Sequence, residues 1–399
     1  MSVVIPAYKE DAILSSIRSL LACDPPGVRW EILVHVNYPE NADERAIKVS
    51  IRSDGEVRDF AAGLTGRGDV RIHSILSPGL PARHAGVGLA RKIGMDAVAG
   101  RFAQVGRPDG VVVAFDADST CSDNYLREIT GFYQKNRAAR AANLYFEHPL
   151  DPDENGQPPL PIIEYELYLR YFRLALEMTG HPHAIHTVGS SFTVRADTYA
   201  RVGGMGRHKA GEDFYFLHKC LPLGHFYEIN TVSVYPSARE SDRVIFGTGA
   251  AIRKQMQTGG GLDVYGLDSF TPLKELFSRA TDYFDEPDGF AADCRRWSER
   301  FPALSTFLLE QDAARQIDRM IRDSASAGTF VDKFFAWFNA FRVLRYLNQA
   351  NGSHNHKKPV TEEAGRLARS LGIPVVNDPV DLLRAFRLMD RDRGIRRII

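Results

Sequence analysis

The chain has 399 residues in which 50 Lys and Arg are balanced by 50 Asp and Glu, a length that suits one large domain with an appendage or two domains. The balance argues against a nucleic-acid or anionic-membrane partner bound through an overall basic field, so an anionic ligand must be held locally. Four dispersed cysteines, Cys23, Cys121, Cys220 and Cys294, form no Cys-x-x-Cys pair, which argues against a zinc site or a disulfide framework and fits a reducing cytosol.

The N-terminus runs from Met1 directly into Ser2-Val3-Val4-Ile5-Pro6 without a basic leader, and no apolar run approaches the ~18 residues that span a bilayer. The expectation is a soluble, unprocessed, cytoplasmic protein with no integral membrane segment. Short apolar runs predict strands near residues 2–5, 30–36, 69–76, 110–116 and 141–147. Ile13, Ile17, Leu20 and Leu21 recur at helical spacing, and a second helix is predicted from Ala85 to Ala99. The alternation predicts an α/β fold, a Rossmann-like, mixed but mostly parallel sheet with flanking helices.

Pro149 to Pro161 is proline-rich and reads as an exposed connection. An aromatic-rich helix follows from Ile162 to Met178, then a strand at Phe192 to Arg195 and a Gly-rich loop around Gly203 and Gly204. A further helix is expected to start at Glu212-Asp213, since carboxylates suit a first helical turn. Beyond Gly266 the pattern is helical; the clearest helix runs from Phe334 to Leu347, with Phe334, Phe338, Phe341 and Leu344 or Arg345 near one face as core. His354 and His356 lie in a polar loop with no carboxylate or cysteine at ligand spacing. The domains expected are 1–265, with a nucleotide-binding half at 1–148 and an acceptor and catalytic half at 162–265, and a helical C-terminal region at 266–399.

The most informative stretch is Val111-Val-Val-Ala-Phe-Asp116-Ala117-Asp118. Side chains two apart on a strand point the same way, so Asp116 and Asp118 would project together from the end of a buried strand. Hard cations such as Mg2+ and Mn2+ take oxygen ligands and share their shell with substrate phosphates, which suits a nucleotide diphosphate.

Ser2-Val-Val-Ile-Pro-Ala-Tyr-Lys-Glu10, Gly86 to Gly94, Asp116-Ala-Asp118, and Val202-Gly-Gly-Met205 leading to Gly211-Glu-Asp213 together resemble the successive motifs of family 2 glycosyltransferases, over about the first 250 residues. The resemblance implies a GT-A fold and an inverting hexosyltransferase-type enzyme. Its donor would be a nucleotide-diphosphate sugar, with UDP as the default.

That resemblance assigns roles. Asp118 would bind Mn2+ or Mg2+, with Asp116 on the ribose or the metal shell beside Ala117. Asp213 would be the general base that takes the acceptor hydroxyl's proton, supported by Glu212. Donor contacts would come from Pro6, Ala7, Tyr8 and Glu10 after the first strand, from Asn37 where the family commonly has an aspartate, and from Arg91, with Lys92 replacing the usual asparagine. Gly203, Gly204 and Arg243 complete the donor set, Arg243 through an amide-rich loop that would close over the diphosphate. Gly86 and Gly94 are expected to allow close helix packing. The family's third metal ligand, often a histidine, has no obvious counterpart; Asp242 or water would complete the shell. One of His181, His183 and His186 would hydrogen-bond a sugar hydroxyl, a metal site there being the minority reading. The acceptor cannot be read from the sequence, and the C-terminal helices would shape acceptor choice or a homo-oligomer contact. Two alternatives are weaker. A sugar-nucleotide nucleotidyltransferase would carry a Gly-rich basic loop after its first strand, and a non-catalytic nucleotide-sugar binding module needs no base at Asp213.

Overall fold

The computed structural model describes residues 1–152, 156, 158–238, 261–286, 288–353, 357–374 and 378–399. The chain forms two compact units, neither continuous in sequence. One comprises Met1–Ile163, Thr187–Gly259 and Arg387–Ile399, the other Glu164–His186 and Gly260–Phe386. The chain passes from one unit to the other four times, after residues 163, 186, 259 and 386, where the sequence suggested one boundary near residue 265.

The first unit is built on strands β1 (Ser2–Ala7), β2 (Trp30–Pro39), β3 (Val70–Leu80), β4 (Val111–Ala114), β5 (Thr120–Cys121), β6 (Ala141–Phe146), β7 (Phe192–Arg195) and β8 (Phe226–Tyr235). With the C-terminal strand Ile395–Arg397 they make a mixed sheet of order C-terminal strand, β8, β6, β7, β4, β1, β2, β3, with β5 paired to β8. The run β4-β1-β2-β3 and the pair β6-β8 are parallel, while β7 is antiparallel to both its neighbours. Val3, Val4 and Ile5 of β1 and Ile32, Val34 and Val36 of β2 are fully buried, the continuous apolar run expected of strands covered on both faces.

β1 extends two residues further than predicted, and Pro6 lies inside it, paired with His35. The partner strand on the other side explains why a proline is tolerated there. The β4 register with β1 ends at Val4, where Phe115 N bonds Val4 O at 3.1 Å, so Pro6 lies beyond the last paired residue on that side, where a missing donor costs least.

Helices α1 (Ile13–Ala22), α2 (Glu44–Gly63), α3 (Val87–Gln104), α4 (Tyr125–Lys135), α5 (Leu160–Met178), α6 (Ala196–Arg201) and α7 (Glu212–Cys220) complete the ordered elements up to β8. α2 was not anticipated because its inward face is small and polar. Ala46, Ser50, Ser53, Asp54 and Val57 are buried, and three of them hydrogen-bond: Ser53 Oγ to Glu10 O, Ser50 Oγ to Asn37 O, and Asp54 Oδ1 accepting from Ser74 Oγ. Its start is set by Asp43, whose Oδ1 accepts from Ala46 N at 2.6 Å.

The second unit is mainly helical, with one short antiparallel pairing of Asp263–Val264 with Lys358–Pro359. The expected helix from Phe334 to Leu347 is two helices, Ala327–Trp337 and Ala340–Ser353. Phe338 N closes the first onto Phe334 O, and Asn339 Oδ1 then accepts from Phe341 N and Arg342 N, capping the next. The break changes the helical phase. Phe334 and Phe338 are core as predicted, but Val343, Tyr346, Leu347 and Ala350 replace Phe341 and Leu344 as the buried positions beyond it. Among the described residues no helix is long and apolar enough to cross a membrane.

Candidate functional site

The parallel strands β1, β2 and β4 end at one edge of the sheet, where open α/β sheets leave a crevice for ligands. β4 stops at Ala114 and the chain turns, with Ser119 N bonded to Asp116 O at 3.1 Å and Ser16 Oγ of α1 donating to Ala117 O at 2.8 Å. That turn presents Asp116 and Asp118, both partly exposed, beside a buried Ala117.

α3 supplies the next component. Gly94 packs so closely on β1 that a Cβ there would lie 2.6 Å from Val4 Cγ1, in line with the packing role expected for it. The close approach sinks the preceding turn of α3. Arg91, expected at the donor phosphates from a helix surface, is 1% exposed. Its Nη2 bonds Asp116 Oδ1 at 2.5 Å, and its Nη1 bonds Glu212 Oε1. Gly189 leaves room for this, since a Cβ at that position would lie 2.7 Å from Nη2 and 2.8 Å from Nη1. Lys92, the neighbour that departs from the family pattern, pairs instead with Asp96 at 2.8 Å.

α7 is brought to Arg91 by the loop before it. Gly86 and Gly88, at the start of α3, lie against Lys209 and His208; a Cβ on Gly88 would meet His208 O at 2.1 Å and Glu212 Cβ at 2.9 Å. Gly211, in the left-handed region at φ 69°, turns the chain into the helix. Glu212 and Asp213 then occupy the first turn, as predicted, with Glu212 buried.

The charges explain one another. Arg91 faces Asp116 and Glu212, with Asp213 also in its field, and this acidic surrounding holds its pKa above the ordinary guanidinium value. Burial raises the pKa of Glu212, opposed by Arg91. Asp213 is pushed up to about 7, first by burial of its carboxyl among protein atoms and next by Glu212, against the pull of Arg91 and of Phe214 N. The latter bonds Asp213 Oδ1 at 2.7 Å. A carboxyl so shifted is half ionised near neutral pH, where a general base works best.

The remaining predicted residues fall in two groups. At the sheet edge, Pro6 and Ala7 are strand residues, Tyr8 is half-buried, and Lys9 adopts φ 50°. Glu10 is buried, its Oε1 accepting from Ala12 N. Asn37 is buried too, donating from Nδ2 to Ala7 O at 3.0 Å, a bond that needs an amide because a carboxylate has no donor. Gly203 and Gly204, at φ 76° and 70°, form the turn after α6, and Lys219 Nζ bonds Val202 O and Gly204 O at 3.2 and 2.5 Å. Asp242 and Arg243, like His354 and His356, lie outside the described residues.

The histidines do not form a ligand cluster. His181 is buried in the helical unit, ring centroids 5.3 Å from both Phe277 and Phe335, with Nε2 at 3.0 Å from Phe338 O and Nδ1 accepting from His183 N. Burial pushes His181 down to about 3 and His183 down to about 4, as expected for neutral core imidazoles.

The carboxylates suit a hard cation in the manner of Mg2+, which is held by one or two carboxylates and otherwise by water and substrate phosphates. Among the described residues no group of three or more His, Cys, Asp or Glu is placed to enclose a metal, so Asp116 and Asp118 would hold it with oxygen atoms from outside that set.

No family model matches the chain, and no curated protein matches it. Solved structures give partial likeness. S. aureus TarS 1-349 in complex with UDP-GlcNAc is 11% identical, with 98% of this chain and 88% of that one covered and a TM-score of 0.40. A second S. aureus TarS structure is 13% identical, at TM-score 0.35, over 59% of this chain and 36% of its own, so the chain spans about a third of that protein. The mannosyltransferase PcManGT from Pyrobaculum calidifontis, in complex with GDP-Man and Mn2+, is 12% identical over 85% of this chain and 87% of its own, at TM-score 0.33. At such TM-scores the likeness carries no weight, and the functional reading rests on the geometry.

Proposed function

We propose that the chain transfers a sugar from a nucleotide-diphosphate donor to an acceptor hydroxyl by a single inverting displacement. The observation that carries this reading is the Arg91 bridge, which ties the strand-end carboxylate Asp116 to Glu212, the residue before Asp213.

Asp116 and Asp118 would hold Mn2+ or Mg2+, which when bound neutralises charge building on the leaving diphosphate. Asp213 removes the acceptor proton as the new bond forms to the anomeric carbon. Its raised pKa matches that task, because a stronger acid would be too weak a base to assist near neutral pH. Arg91 and Glu212 are positioning residues: the guanidinium fixes the Asp116 turn against α7, and Glu212 lifts the basicity of its neighbour. Tyr8 and the backbone around Ala7, held by Asn37, supply the edge on which a nucleoside would lie. UDP is the donor nucleotide to try first, and the order of the motifs is what supports a family 2 reading.

The reading is tested by assaying a panel of UDP- and GDP-sugars with Mn2+ against sugar, peptide and polyol acceptors and determining the product anomer by NMR. Inverted product that disappears in Asp213→Asn supports it. Retention of configuration would remove Asp213 from the role of base.

A further inference from the structure

Cys23 and Cys121 are 98 residues apart in sequence, yet their sulfurs lie 3.5 Å apart. α1 ends at Ala22 and β5 runs Thr120–Cys121, and several bonds hold these two places together independently of the sulfurs. Cys121 N donates to Ser19 Oγ at 3.0 Å, and Asp24 N donates to Asp123 O at 2.7 Å. Cys23 Sγ is also 3.4 Å from Ser19 O and 3.5 Å from Ser122 O. Two backbones fixed on both sides of a thiol pair in contact need only a small side-chain adjustment to reach the ~2.05 Å of a disulfide.

The two thiols are unlike. Cys23 is 7% exposed, whereas Cys121 is half-buried, so a reagent meets Cys121 and finds Cys23 behind it. Within the pair, the hydrogen bond from Cys121 holds Cys23 below the ordinary thiol value, while that same contact and burial raise Cys121, so Cys23 is the thiol of the two that ionises first. The other cysteines lack this arrangement. Burial pushes the thiol of Cys220 up to about 12 and that of Cys294 up to about 11.

We propose that Cys23 and Cys121 are a redox-active dithiol that takes a small-molecule disulfide, of the oxidised-glutathione class, and closes to an internal cross-link. One protein thiolate attacks a sulfur of the reagent, forming a mixed disulfide and expelling one glutathione thiolate. The second attacks the protein sulfur of that mixed disulfide and expels the other. Two protein thiols are oxidised, one glutathione disulfide is reduced to two thiols, and the two protein protons end on the leaving groups. The cross-link lies three residues beyond Asp118 and joins that segment to the helix whose Ser16 already holds Ala117 O, so oxidation would fix the turn that carries Asp116 and Asp118.

The inference does not depend on the transferase reading, and its test is chemical. The full chain is incubated with oxidised glutathione, alkylated, and examined by intact-mass and peptide mass spectrometry. The expected result is loss of two hydrogens, a peptide linked through Cys23 and Cys121, and reversal by dithiothreitol. Cys23→Ser and Cys121→Ser should each abolish the two-hydrogen loss. Wild-type protein that keeps both thiols, stops at a glutathione adduct, or links through Cys220 or Cys294 would overturn the proposal. A thermal midpoint that rises on oxidation of the wild type but not of Cys121→Ser supports closure within the native fold, and a fall in the wild type would overturn it.

Discussion

Arg91 joins Asp116 to Glu212 through the two ends of one guanidinium, so two motifs 96 residues apart in sequence meet on a single buried cation. Buried charges are tolerated only when paired and hydrogen-bonded. The pairing here makes the carboxylate turn after β4 and the start of α7 one structural object.

Replacing Arg91 should therefore damage both stability and activity. Arg91→Met leaves Glu212 buried without its cation, and we expect urea unfolding to show a loss of ~3–5 kcal/mol, the range for breaking a buried pair. Arg91→Lys should rescue only part of this, because one ammonium lacks the planar fork that reaches two carboxylates. Wild-type stability in Arg91→Met would contradict the bridge.

Asp213 sets a pH dependence whose sign is determined. As the proposed base it must be ionised, so kcat/KM should rise with pH through a midpoint near the value of about 7 to which its pKa is raised. Asp213→Asn should cut transfer by ~10²–10⁴ while donor binding persists. The stability trend runs the other way. A carboxyl whose folded pKa is raised binds more protons when native, so its contribution falls as pH climbs from the ordinary carboxylate range to about 7. The Tm of Asp213→Asn should gain on the wild type between pH 5 and pH 8, and an equal difference at both would show that the shift is absent.

Metal dependence should pass through the strand-end pair. Isothermal titration of Mn2+ in the presence of UDP is expected to show coupled binding in the wild type and at least a tenfold loss in Asp118→Ala, since removing one of two carboxylates leaves water in its place. Binding that ignores both the metal and the substitution would remove Asp116 and Asp118 from the donor site.

Two glycines of α3 should respond oppositely to alanine. Gly88→Ala drives a methyl group into His208 O and the side chain of Glu212, so activity should fall and stability drop by ~1–3 kcal/mol through overpacking. Gly100 has nothing within 4 Å of its would-be Cβ, so Gly100→Ala should stabilise by about 0.5–1 kcal/mol through helix propensity alone. Paired denaturation curves on the two variants separate contact from propensity.

Asn37→Asp tests whether the departure from the family pattern is structural. The amide's bond to Ala7 O is lost and a carboxylate is set against a carbonyl, so stability should fall by ~1–3 kcal/mol before any change in nucleotide preference is considered. Unchanged stability with altered base selectivity would assign the residue to the ligand instead.

The alternation of apolar and amphipathic segments determined the sheet-and-helix architecture, because each short run of Val, Ile and Leu had to be covered on both faces. The strand reading also located β7 to the residue, and the acidic pair located the start of α7. The alternation could not reveal α2, whose inward face is serine and aspartate bonded to loop backbone. It also missed the Asn339 cap that divides the helix at Phe338. For the site, the residue types and their order were visible in the chain, including the strand-end aspartates and the Glu-Asp pair. Only the tertiary structure decided what Arg91 does. Its helix carries small residues where β1, His208 and Glu212 approach, and whether a cation at that point meets solvent or carboxylates depends on contacts between segments nearly a hundred residues apart. The thiol pair was decided the same way: cysteines that sequence spacing separates are brought to 3.5 Å by the packing of α1 against β5.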